Sequence, residues 1–108
     1  MTGTHCFTIY GKNTAEIKDI RDFLLDSFSD ALELRTAEPV SNDELADHGY
    51  NYAQTVYFKN GTGFDDAMNL SDEMATAAKT QGVTISRCLD STRARGWRQN
   101  FAQRFMLN

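Results

Sequence analysis

Residues 4–10 alternate as a strand, with His5, Phe7 and Ile9 on one face and Cys6, Thr8 and Tyr10 on the other. The period then changes. Ile17, Ile20, Leu24 and Phe28 recur at spacings of three and four, and Phe23 and Leu25 broaden that apolar stripe into the face of an amphipathic helix. Asn13 stands before it as an N-cap, and Glu16, three residues on, completes a capping box. Residues 31–36 read as a second strand with Leu32 and Leu34 inward, stopped by Pro39. Residues 38–49 form a polar, acidic connection, with one helical turn expected from Ser41 and Glu44. Residues 50–58 alternate again, setting Tyr52, Gln54, Val56 and Phe58 against Asn51, Ala53, Thr55 and Tyr57. Asn60-Gly61-Thr62-Gly63 is a turn. Ala67, Leu70, Met74, Ala77 and Ala78 mark the inner side of a second helix over residues 64–80, which Gly82 stops. Ser71-Asp72-Glu73 offers an alternative start for that helix. Residues 83–89 are the fourth strand.

The chain repeats itself. Thr8-Ile9-Tyr10-Gly11-Lys12-Asn13 returns as Thr55-Val56-Tyr57-Phe58-Lys59-Asn60, each copy leading into a helix and then a further strand. Two strand–helix–strand units with right-handed crossovers predict an α+β domain over residues 1–90 of the ferredoxin-like, split βαβ kind. Its βαββαβ order implies a four-stranded antiparallel sheet with the first and third strands central and both helices on one face. Residues 91–108 then carry Ala94, Trp97, Phe101 and Phe105 at spacings of three, four and four, with Arg93, Arg98 and Arg104 flanking the stripe. This spacing predicts a basic, aromatic C-terminal helix packing on the same domain or docking into a partner.

At 108 residues and 41% hydrophobic content, the chain fits one domain with one core. No apolar run is long enough to span a membrane and no leader pattern opens the chain, so neither insertion nor secretion is expected. Two cysteines in no paired motif fit a reducing cytoplasm. The proposed strand order would bring Cys6 and Cys88 together on one face. The overall charge of −4 hides an asymmetry: residues 1–80 hold 14 acids against six bases, a net −8, and residues 81–108 hold five arginines against Asp90, a net +4.

The sheet face opposite the helices is expected to carry Tyr10, Tyr57 and Arg35 among small polar side chains. In strand order and in Tyr10 on the first strand, the chain resembles an RNA-recognition motif, which implies bases stacked on aromatic side chains of the central strands. The resemblance stops there. The third strand offers Ala53 and Thr55 where that family displays aromatics, and an acidic body disfavours direct contact with nucleic acid. The acidic stretch Asp43, Glu44, Asp47 and His48 matches no calcium loop. No nucleophile–base pair, phosphate loop or metal-ligand spacing appears, so no catalytic residue, metal or cofactor is expected.

The leading expectation is a small non-enzymatic binding protein that regulates or inhibits a larger protein complex. Compact regulators encoded by viruses and mobile elements have this profile. Asp19, Asp22, Asp26 and Asp30 would imitate nucleic-acid charge in the basic groove of a nucleic-acid-processing complex, and Trp97, Arg98, Phe101 and Arg104 would anchor a partner. The alternatives are an RNA-binding module using the open sheet face and the arginine-rich tail, or a homodimeric enzyme with a small-molecule pocket over the sheet.

Overall fold

The computed structural model describes residues 5–83, 85–89 and 102–107. It is an α+β fold with the elements β1 (Cys6–Gly11), α1 (Thr14–Ser27), β2 (Leu32–Glu33), β3 (Val40–Ser41), β4 (Tyr52–Phe58), α2 (Phe64–Thr80), β5 (Ile85–Leu89) and β6 (Ala102–Leu107). The repeat places its two copies side by side. Strands β1 and β4 pair antiparallel with Thr8 opposite Thr55, and the two hydroxyls meet at 2.9 Å. The capping box at α1 forms as the spacing predicts: Asn13 Oδ1 accepts from the Glu16 amide at 2.9 Å, and Asn13 Nδ2 donates to the Glu16 carboxylate at 3.2 Å. Helix α2 runs unbroken from Phe64 to Thr80, so Ser71 is no second start; it is fully buried in mid-helix. Gly82 ends that helix with φ at +77°, a left-handed conformation that favours glycine.

The sheet departs from the four-stranded expectation. Its order is β2–β4–β1–β6–β5, with β3 paired to the same edge of β4 as β2. The expected neighbour of β1, the strand over residues 83–89, stands one rank further out. Its place is taken by β6, which runs parallel to β1 with Ile9 opposite Phe105 and antiparallel to β5. The sheet is therefore mixed. The C-terminal helix expected over residues 91–108 is corrected for its last part, since Ala102–Leu107 is a strand; residues 91–101 and 108 lie outside the described residues.

The core explains the correction. Phe105 and Leu107 alternate inward, the period of a strand, and Phe105 stacks on Phe7 at 4.8 Å while Phe7 meets Phe58 edge-on at 5.7 Å. All three rings are fully buried under α1 and α2 with Ile9, Ile17, Leu24, Val56 and Met74. A helical stripe and this alternation share Phe105, and the strand wins because it also pairs the free edge of β1. Close packing at one point requires glycine: a Cβ on Gly11 would stand 2.8 Å from Ile17 Cγ1 and 3.4 Å from Leu107 Cδ1, joining β1, α1 and β6.

The second strand is shorter than residues 31–36. The chain leaves the sheet after Glu33 and returns at Val40, and a buried network holds the excursion. Arg21 Nη1 donates to Ala37 O at 2.8 Å and to Gln54 Oε1 at 3.0 Å, and Gln54 Nε2 donates to Thr36 O at 2.8 Å. Carbonyls that a continuous strand would have paired are satisfied by side chains instead.

Phe105→Ala should therefore cost about 3–5 kcal/mol of unfolding free energy, the range for a deeply buried phenylalanine. Urea denaturation measures it. A loss below about 1 kcal/mol would mean that β6 does not belong to the core.

Candidate functional site

The two layers of the molecule treat charge differently. On the open sheet face, cations are paired within the chain. Arg35 lies over the Tyr57 ring at 3.8 Å and reaches the Glu33 carboxylate at 3.5 Å. Arg104 pairs Glu44 at 2.9 Å and stands 5.9 Å over the Tyr10 ring, and the Tyr10 hydroxyl donates to the same Glu44 oxygen at 3.5 Å. Arg104 Nε is buried without a hydrogen-bond partner among the described residues. Glu44 reaches this position because residues 42–51 fold back over the end of the sheet. Asn42 bonds the backbone of Asn51 and Tyr50, and Asn42 Oδ1 accepts from the Glu44 amide at 3.3 Å.

The helical turn expected from Ser41 and Glu44 lies further along the loop, as the 3-10 turn Ala46–His48, because Ser41 of β3 pairs with Tyr52. Among the described residues, no group of carboxylates, histidines or cysteines is arranged to hold a metal ion.

Tyr10 and Tyr57 do look out from the same side of neighbouring strands. Neither presents a bare ring: Tyr10 is only 8% exposed and Arg35 covers Tyr57. Base stacking on them would require Arg35 and the Arg104–Glu44 pair to move. Cys6 is buried in β1, and its proposed meeting with Cys88 is corrected. Strand β6 stands between β1 and β5, and Cys88 pairs with Arg104. Two strand spacings of about 4.8 Å place the two Cα atoms beyond disulfide reach.

The helical layer is the opposite case. Asp19, Asp22 and Asp26 lie on the outer side of α1, directly across from Ile17, Ile20 and Leu24, and Asp30 continues the stripe in the turn that follows. All four are exposed. Asp22 leans on Arg21 at 2.7 Å; Asp19, Asp26 and Asp30 have no cationic partner among the described residues. Helix α2 adds exposed Asp65, Asp66, Asp72 and Glu73. The helical cations are few: Arg21 is buried, Lys18 is bonded to Glu38 at 3.1 Å, and Lys79 stands in the last turn of α2.

Two cavities border this layer, and neither is lined by Tyr10, Tyr57 or Arg35. One, of about 440 Å³, lies between α1 and the turn from α2 to β5, with Glu16 and Asp19 above Ile20, Phe23, Val83 and Leu107. The other, shallower, lies at the opposite end beside Asp30, Asp66 and Glu73.

The structure thus gathers Asp19, Asp22, Asp26 and Asp30 into one stripe and sets Arg104 apart from them on the far face of the sheet. Trp97, Arg98 and Phe101 lie outside the described residues. Sequence reasoning missed Glu44 as the partner of Arg104 and Tyr10, and no local pattern signals it. It also missed Arg21, whose position beside Ile17, Ile20 and Leu24 on the helical wheel is a readable sign of burial. Comparison with protein-family models, with curated proteins and with solved structures gave no match. Among the described residues no helix is long and apolar enough to cross a membrane.

His5, buried at the end of β1 with its ring edge-on to Phe64 at 6.4 Å, has its pKa lowered from 6.5 by desolvation. The folded state resists the proton that the unfolded chain accepts. The contribution of His5 is therefore full above pH 6.5 and lost as pH falls toward the lowered folded value. Urea midpoints should drop between about pH 7 and pH 5, and His5→Gln should flatten that slope. An unchanged slope in the variant would assign the acid sensitivity to other groups.

Proposed function

We propose that the chain is a small, non-enzymatic binding protein that regulates or inhibits a larger macromolecular partner by laying its acidic helical face on a basic surface. The observation that carries this reading is the exposed stripe of Asp19, Asp22, Asp26 and Asp30, three of whose carboxylates have no cationic partner among the described residues. Evenly spaced negative charge on a rigid helix suits a surface built for a phosphate backbone. The partner class it fits is a nucleic-acid-processing complex in a reducing compartment, a reading supported by two cysteines that stand in no paired motif. Charge of this kind contributes chiefly to association rate and specificity, and both fall with ionic strength.

Affinity capture at low salt, with partners identified by mass spectrometry, tests the proposal. One dominant complex with a basic groove is expected, released by moderate salt and by competing duplex DNA. Asp19→Asn, Asp26→Asn and Asp30→Asn combined should weaken its capture by at least about threefold, since rim charges contribute roughly 0.2–1 kcal/mol each. Asp43→Asn with Asp47→Asn, in the loop over the sheet end, should leave it unchanged. Capture that ignores both salt and the triple variant would overturn the proposal.

A further inference from the structure

The acidic stripe has an apolar neighbour. The cavity of about 440 Å³ beside α1 has Ile20 and Leu107 as its floor, half-buried Phe23 and Val83 as its walls, and the carboxylates of Glu16 and Asp19 at its rim. Its size falls in the range of ligand clefts. The widened sheet makes it. Helix α1 packs over β1 and β4 and α2 over β5, so the floor between them is supplied by Leu107 of the inserted strand. Glu16 is held by Asn13, and Asp19 has no cationic partner among the described residues.

The geometry points to this groove as the seat for one apolar side chain carried by a basic segment of the protein partner. A leucine or phenylalanine enters between Phe23 and Val83, and an arginine or lysine on either side pairs with Glu16 and Asp19. Charge selects this occupant. A phosphate backbone or an anionic membrane would meet the two rim carboxylates and be repelled, whereas a cationic peptide is drawn in and then held by the apolar floor. The inference rests on the acidic-face reading and adds the anchor that the stripe alone lacks, because exposed charge pairs give little affinity by themselves.

A fluorescein-labelled peptide of sequence Arg-Leu-Arg-Phe-Arg, measured by anisotropy at low ionic strength, is the probe. The full chain should bind it. A peptide with serine in place of leucine and phenylalanine should bind about tenfold more weakly, and one with glutamate in place of arginine should not bind. Gln81 is exposed on the groove wall, so Gln81→Trp fills the cavity without touching the core and should weaken the parent peptide about tenfold. Asp19→Lys should weaken it about fivefold. Thermal melts confirm that each variant is folded, and Gln81→Arg serves if the tryptophan variant is not. The inference is overturned if the parent peptide does not bind, if the serine peptide binds equally well, or if a folded Gln81 variant binds as the native chain does. Loss of the large partner in the triple aspartate variant with full retention in Gln81→Trp would remove the groove and leave the acidic face standing.

Discussion

The ladder between β1 and β6, sealed by the stack of Phe105 on Phe7, is the interaction on which the rest of the architecture depends. It brings the end of the chain into the middle of the sheet, beside the strand that begins it. Phe7 carries the contact onward to Phe58 on β4, so one row of aromatic rings ties the strands of both repeat copies to β6. With β6 in place, β5 moves outward and carries the packing of α2 with it. The Leu107 floor of the groove between α1 and the turn from α2 to β5, and the isolation of Cys6 from Cys88, both follow from that single insertion.

Charge is divided between the two sides by the same framework. Each arginine described on the open sheet face is provided with a carboxylate from a neighbouring loop or strand, Arg35 with Glu33 and Arg104 with Glu44. The helical side carries an excess of exposed carboxylates over cations among the described residues, and Asp19, Asp26 and Asp30 have no ion pair there. A surface kept acidic at the cost of self-repulsion is a poor contributor to stability and a good selector of partners. Internal pairing on one side and an exposed acidic excess on the other make the helical layer the place to look for recognition. The buried network of Arg21 and Gln54 supports that layer from beneath, fixing α1 to β4 and to the excursion at residues 34–39.

Much of the local structure was legible in the sequence, and the reasons are local. Asn13 and Glu16 cap α1 because a capping box needs only four consecutive residues. Thr8 and Thr55 meet because two like segments of alternating period, each leading into a helix, pack with the same face down. The stripe from Asp19 to Asp30 was readable from helical spacing opposite Ile17, Ile20 and Leu24. Glu44 was not, since its contact with Arg104 joins residues 60 positions apart that share no pattern. Arg104 and Phe105 were misread as helical because Trp97, Phe101 and Phe105 satisfy a helical spacing as well as Phe105 and Leu107 satisfy a strand.

The sequence by itself determined the α+β class, the capped start of α1, the stop of α2 at Gly82, the pairing of the repeated strands and the excess of acid on the first 80 residues. Each of these is set by periodicity, capping or composition, which act over a few residues or need no geometry at all. Tertiary structure alone decided which strand lies beside β1, which residue floors the groove beside α1 and which charges find a partner. Those outcomes depend on which distant segment fills an open sheet edge and covers Phe7, a competition between whole-chain packings that no local window contains.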